Sequence, residues 1–278
     1  MSRFGGWLHL VRTLRGHQFD VAIDLFSGPR SALLGVFSGA KDRYGEDVRK
    51  RVRGWLYNHP VRLEKDGKHL TEQKMELIYP LTGRKDPRAF HLELFLEENE
   101  RETARGLLRK HTKDGKLKVG LVPGAGSPWR RWPVERFAKL ADELVKTYEA
   151  EIVLLGGQDE QAICRDLSDR MECSPVDFSG QTTLQELMAI MAELDVLISN
   201  LTGPMHLASA LAKPKVIGLY GVADTVQYAP WGGNVLMLSK GQHSDAYWKN
   251  VDYREDYNRL LQIDVGDVLK SFETIISG

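Results

Sequence analysis

Asp195-Val196-Leu197-Ile198-Ser199-Asn200-Leu201-Thr202-Gly203-Pro204-Met205-His206-Leu207-Ala208-Ser209-Ala210-Leu211 holds an apolar run of strand length that ends at Asn200, then a small-residue helical pattern. The Leu201-Thr202-Gly203-Pro204 turn therefore joins a strand to a helix N-terminus. The first amides of a helix have no intrahelical partner and carry the positive end of its dipole, so a phosphate set against Thr202 and Gly203 would satisfy both. Gly203 permits close approach of a ligand to the backbone, and Pro204 suits a first helical turn. The competing reading is an ordinary strand-to-helix connection that needs these residues only for its turn.

The sequence around this stretch repeats the same rhythm. Val119-Gly120-Leu121-Val122 reads as a strand, and Phe137, Leu140, Ala141, Leu144, Val145 and Tyr148 mark one face of a helix. A strand at Glu151–Leu155, a helix to about Met171, a short strand at Val176–Phe178 and a helix capped by Thr183 with Glu186 follow. Lys215–Tyr220 gives another strand. Strands alternating with helices in this way predict a parallel, doubly wound α/β sheet.

In such sheets ligands bind outside the carboxyl ends of the strands, so three loops should share one edge. The first, Pro123-Gly124-Ala125-Gly126-Ser127-Pro128-Trp129-Arg130-Arg131-Trp132-Pro133, has glycines, a hydroxyl and two guanidiniums, the makings of a phosphate clamp. The second, with Gly156, Gly157 and Glu160, places a carboxylate where a ribose diol could be gripped. The third is the opening stretch, which adds Asn200, Met205 and His206. Together the three favour a bound nucleotide over an empty crevice. His206 also reads as a satisfied structural residue, and Met188 and Met191 read as core.

The beginning of the chain is different. Trp7, Leu8, Leu10, Val11 and Leu14 have helical spacing, and Phe19-Asp20-Val21-Ala22-Ile23-Asp24-Leu25 reads as a buried strand. A helix just ahead of a strand is normally a crossover from an earlier strand, so the sequence reads as entering a doubly wound domain partway; a simple N-terminal cap helix is the alternative. Leu70–Leu81 has a helical pattern, and Arg109–Lys118 with Gly115 is the best linker candidate. These features divide the chain into a partial N-terminal domain over 1–112, a nucleotide-binding domain over 118–262 and a terminal helix over 263–278.

Composition sets the outer bounds. The 278 residues include 38 basic and 38 acidic side chains, a balance that does not advertise nucleic acid. Two cysteines, Cys164 and Cys173, imply neither a disulfide framework nor a metal site. No secretory signal is visible, and Ser31–Ala40 is too short to span a bilayer, so the sequence reads as cytoplasmic. Arg49-Lys50-Arg51 with Arg53 is of the kind that meets an anionic acceptor or a membrane surface, and also reads as a solvated face.

Taken in order, Pro123-Gly124-Ala125, Arg130-Arg131-Trp132-Pro133, Phe137-Ala138-Lys139-Leu140-Ala141, Gly156-Gly157 with Glu160, Gly180-Gln181-Thr182, Thr202-Gly203-Pro204-Met205-His206-Leu207-Ala208 and Tyr220-Gly221 resemble family nine of the glycosyltransferases, the lipopolysaccharide heptosyltransferases. A weaker likeness runs through Phe19–Gly45. The resemblance implies the GT-B fold, two Rossmann-like doubly wound domains of which the N-terminal one is here incomplete. It also implies an inverting, metal-independent transferase without a cofactor, using ADP-heptose or a related nucleotide sugar as donor and the lipopolysaccharide inner core as acceptor. The place of such work is the cytoplasm, peripherally at the inner membrane. By the same resemblance Arg130 meets the donor pyrophosphate beside Ser127 and the Thr202 and Gly203 backbone, Glu160 meets the adenosine ribose, and the last helix returns to brace the N-terminal domain. Leu201 departs from the family's usual Asp before Thr-Gly, and the family's catalytic Asp, in a loop after an earlier strand, has no counterpart in this sequence. Asp24 is the nearest substitute, and it also reads as structural. Two readings follow: a sugar transferase, or a nucleotide-binding remnant of that family without transfer activity.

Overall fold

The computed structural model describes residues 3–48, 52–65, 67–83, 92–211, 213–221, 225–240 and 253–277. The chain divides between residues 90 and 91 into two compact units.

In the first unit, helix α1 (Arg3–Gly16) precedes strand β1 (Val21–Asp24), helix α2 (Pro29–Phe37) and strands β2 (Asp42–Glu46) and β3 (His59–Val61). The three strands are parallel in the order β1-β2-β3. Tyr57 ties the sheet together: its ring lies against Gly45, where any side chain would collide with it, and its hydroxyl donates to Asp24 Oδ2 at 2.6 Å. Residues 70–82 form two short helices, α3 (Leu70–Met75) and α4 (Tyr79–Thr82), rather than the single helix the periodicity predicts. Pro80 explains the break, since it has no amide hydrogen to give the Glu76 carbonyl four residues before it and so suits the first turn of a new helix. The basic run at 49–51 lies outside the described residues.

The second unit begins with helix α5 (Glu98–Arg109), strand β4 (Lys118–Val122), helix α6 (Val134–Tyr148) and strand β5 (Glu151–Leu154). Helix α7 (Gln161–Arg170), strand β6 (Val176–Asp177), helix α8 (Leu184–Ala192), strand β7 (Val196–Asn200) and helix α9 (Gly203–Ser209) follow. Strand β8 (Lys215–Tyr220), helix α10 (Thr225–Tyr228), strand β9 (Val235–Ser239) and helices α11 (Tyr253–Leu260) and α12 (Val265–Ser277) complete it. All six strands are parallel, in the order β6-β5-β4-β7-β8-β9. Counted from β4 this is the doubly wound order whose direction reverses between β4 and β7.

Successive strand residues point to opposite faces, so apolar strands buried on both sides feed two cores. Val119, Leu121, Val196 and Ile198 pack with Phe137, Leu140, Leu144 and Phe272 on one face. Val122, Val153 and Leu197 pack with Ala104, Leu108, Ile190 and Met191 on the other. Met188 is partly buried against the second core, so both methionines fall where their helical spacing puts them.

Two boundaries differ from the sequence reading. Ala104 and Leu108 seat α5 in the second unit's core, which moves the division from residue 112 to 90. The terminal helix is likewise part of the second unit: Val268 and Phe272 are fully buried in its core, and Lys215 Nζ donates to the Ile275 carbonyl at 2.6 Å.

Gly120 is closely packed on the central strand, because a Cβ there would lie 2.5 Å from Leu194 Cδ1 and 2.8 Å from Leu197 Cδ1. Gly120→Ala is expected to lower stability by about 1–3 kcal/mol through overpacking, read as a shifted urea midpoint. An unshifted midpoint would refute this account of the central strand.

Candidate functional site

The reversal between β4 and β7 opens a crevice at their carboxyl ends, and Asn200, the last residue of β7, sits in it with no solvent exposure. Its amide nitrogen donates to the Pro123 carbonyl at 2.8 Å and approaches the Gly124 carbonyl at 3.4 Å. Its amide oxygen accepts the Trp132 N–H at 2.9 Å. One side chain thus holds both ends of the loop that runs from Pro123 to Trp132. Asn200 stood among the candidate ligand contacts, and the structure gives its side chain this internal task instead. A buried amide must satisfy its donors and acceptor internally, and here it does so on backbone alone.

The neck of that loop is braced further. Trp132 is wholly buried, its indole N–H donates to the Ile263 carbonyl at 2.9 Å, and its ring meets Phe137 edge-on at 4.9 Å. The two guanidiniums of the expected clamp have separate roles. Arg131 folds inward and gives Nε and Nη2 to the Ala125 carbonyl at 3.1 and 2.9 Å, so it shapes the loop. Arg130, at the end of a 3-10 turn (Pro128–Arg130), is exposed and makes no side-chain hydrogen bond or ion pair with any described residue. Ala125 is buried beneath the loop, Ser127 is half-buried and Gly126 is exposed.

The second loop folds onto the first. Glu160 Oε2 accepts the Gly157 N–H at 2.9 Å, closing its own turn. The rest of the carboxylate occupies the space a Gly124 side chain would need, which is why Gly124 carries none. The half-buried Glu160 therefore knits two loops together in addition to any contact it makes with a ligand.

In the third loop Thr202 is extended (φ −144°, ψ 171°) and caps α9 with its backbone; its side chain makes no capping bond. Its hydroxyl is buried and has no partner among the described residues. Gly203 is exposed with open space where a Cβ would stand, and Pro204 occupies the first turn. Helix α9 has only seven residues, so loop amides and Arg130 would attract an anion more than a helix dipole would. Met205, proposed from sequence as a ligand contact, is instead core: it is fully buried, and a Cβ at Gly218 would come 2.7 Å from its sulfur. Leu201 packs against the same core, while His206 is exposed beside the turn and its carbonyl accepts the Ser209 hydroxyl at 2.8 Å.

In the first unit, Asp24 does not stand free as a base. Its Oδ1 accepts the Phe26 and Ser27 amides at 2.9 and 2.8 Å, and its Oδ2 accepts Tyr57. Its carboxylate shapes the turn after β1, the structural role weighed against catalysis from sequence. Among the described residues no group of three or more His, Cys, Asp or Glu could hold a metal ion.

The profile of glycosyltransferase family 9 (heptosyltransferase) matches residues 7–257. Lipooligosaccharide heptosyltransferase 2 of Haemophilus ducreyi is 26% identical over 256 residues, covering 84% of this chain and 73% of its own length. A solved family 9 glycosyl transferase from Veillonella parvula superposes with a TM-score of 0.83 at 23% identity, over 99% of this chain and 80% of that one. The structure of E. coli ADP-heptose lps heptosyltransferase II gives 0.77 at 21% identity, over 95% and 78%. At these identities the solved structures speak for the fold, which is GT-B with Rossmann-like parallel sheets.

Asn200→Ala would leave two buried carbonyls and one buried amide without partners. It is expected to destabilise the protein by about 2–4 kcal/mol, read by urea denaturation. Asn200→Asp keeps the acceptor for Trp132 but sets a carboxylate against the Pro123 carbonyl, and should fare no better. A loss under about 0.5 kcal/mol in both variants would mean that the loop neck is not held there.

Proposed function

Because the chain belongs to glycosyltransferase family 9, we propose that it moves a heptose or related sugar from an ADP-sugar donor to the inner-core saccharide of lipopolysaccharide. The observation that carries the donor site is the exposed Arg130, held on a loop whose neck is closed at the sheet's reversal point.

In this reading the donor's diphosphate lies against Arg130, Ser127 and the Thr202 and Gly203 backbone, with Gly126 leaving room for close approach. Glu160 turns its remaining acceptor capacity to the adenosine ribose, since a carboxylate has about four acceptor sites and one amide uses a single one. A hydroxyl oxygen of the acceptor forms a bond to the donor's anomeric carbon as the bond from that carbon to the diphosphate oxygen breaks. The electron pair departs with ADP, and the hydroxyl proton passes to a base. Negative charge grows on the leaving oxygen during this step, so a guanidinium already in place stabilises the transition state more than the ground state. Inversion at the anomeric carbon and independence from metal belong to the same proposal. Asp24 is not assigned the role of base, because its carboxylate is engaged by two amides and a phenol.

Where the protein works follows from its substrates. An ADP-sugar donor places the reaction in the cytoplasm, and a lipid-borne acceptor places it against the inner membrane. No described helix is long and apolar enough to cross a bilayer.

Calorimetric titration with ADP, UDP and GDP tests the donor site. ADP is expected to bind most tightly, and Arg130→Ala to weaken it by about tenfold or more, as loss of a charge-assisted contact does. Arg131→Ala should instead lower stability, because that side chain works inside the loop. Equal ADP binding by the wild type and Arg130→Ala would refute the placement. ADP binding without sugar transfer would favour the remnant.

A further inference from the structure

The turn after β1 presents an aromatic ring in an unusual way. Phe26 is 84% exposed, although it follows the last residue of a sheet strand by only two positions. The turn is nonetheless rigidly built. Asp24 Oδ1 accepts the amides of both Phe26 and Ser27, at 2.9 and 2.8 Å, and Tyr57 secures the other carboxylate oxygen at 2.6 Å. Ser31 Oγ accepts the Gly28 amide and donates to the Gly28 carbonyl, both at 3.0 Å. Between these anchors the buried Ser27 takes a φ of 57°, a left-handed conformation that costs a non-glycine residue about 1 kcal/mol or more.

Within this turn Phe26 stands outward, and Gly28 gives its ring a seat. A Cβ on Gly28 would lie 2.7 Å from Phe26 Cδ1, so the ring rests over the buried glycine backbone and leaves its other side to solvent. Four residues further on, in the first turn of α2, Arg30 is exposed and its guanidinium has no partner among the described residues. Ring and guanidinium both stand at the carboxyl end of a parallel strand, the edge at which open α/β sheets bind ligands.

We propose that the Phe26–Arg30 turn is a docking site for an anionic saccharide, with the Phe26 ring under one face of a sugar and Arg30 on its acidic substituent. The proposal rests on the transfer of a sugar to a saccharide acceptor, and adds where that acceptor is held. The carbon-bound hydrogens on one face of a pyranose carry slight positive charge and meet the negative face of an aromatic ring, and a ring already seated loses little freedom on contact. The site is sized for a ring. A stable protein partner would need about 800 Å² from each side, far more than one aromatic and one guanidinium supply.

The test titrates the full chain with lipid-free lipopolysaccharide core oligosaccharide by calorimetry, with ADP titrated in parallel. Phe26→Ala is expected to weaken oligosaccharide binding about three- to tenfold, Phe26→Tyr to restore it, and Arg30→Gln to weaken it and flatten its salt dependence. ADP affinity and the thermal midpoint should not change, because the Phe26 ring is exposed. The proposal is overturned if the wild type does not bind the oligosaccharide or if Phe26→Ala binds it equally well. It is also overturned if Phe26→Ala loses binding to phosphatidylglycerol vesicles while keeping the oligosaccharide. Loss of ADP binding with oligosaccharide binding intact would count against the donor site and leave this one standing.

Discussion

A primary amide buried at the point where a sheet reverses direction has to find its hydrogen bonds inside the protein, and Asn200 finds them on the two ends of a single loop. That requirement fixes the site. With Pro123 and Trp132 drawn to the same side chain, the intervening residues have no choice but to bulge outward over the carboxyl ends of β4 and β7. Trp132, anchored in turn on the Ile263 carbonyl, carries the constraint into the segment between α11 and α12. The terminal helix is therefore coupled to the loop through a chain of buried contacts, and the second unit is closed by its own last elements.

Once the neck is fixed, the side chains around it separate by direction. Arg131 turns back to a carbonyl within the loop, while its neighbour Arg130 is exposed and has no side-chain partner among the described residues. Glu160 fills the volume vacated at Gly124, so two loops that are distant in sequence pack directly against each other. Leu201 and Met205 go down into the core and hold the third loop from below, while Thr202, Gly203 and Pro204 remain at the rim. The proposed donor site calls for both kinds of residue: positive groups free to pair with a diphosphate, and others that keep those groups from collapsing onto the protein's own carboxylates.

The sheet of the second unit was legible because its strands are buried on both faces, and that leaves continuous apolar runs such as Val196–Ile198 ending at turn residues. The convergence of three loops on one edge followed from parallel topology alone. What could not be read was the direction of individual side chains. Asn200 and Met205 lie within the strand-to-helix turn that reads as an anion site, and nothing local tells a contact from a brace. That distinction depends on Pro123, Trp132 and Gly218, which are adjacent only in the fold. The division near 112 was misjudged for a similar reason: α5 is densely charged and reads as a solvated connection, yet Ala104 and Leu108 give it a narrow apolar stripe that seats it against α8. A stripe of two or three residues is enough for packing and too little for a pattern.

The two units solve the same problem with the same device. Asp24 ends β1 and Asn200 ends β7, and each turns a short polar side chain onto the backbone of an adjoining loop. In both cases an outlying residue, Phe26 in one and Arg130 in the other, stays exposed beyond the bonds made at the loop's base. The cost of ordering a loop is then met by hydrogen bonds at its base, and the groups at its tip stay available for a ligand. An aspartate serves where the partners are all donors, two amides and a phenol, whereas an asparagine is required where carbonyls and an amide must be held together. The chemistry of the β7 neck therefore selects its residue, and an aspartate at 200 would set a carboxylate oxygen against the Pro123 carbonyl.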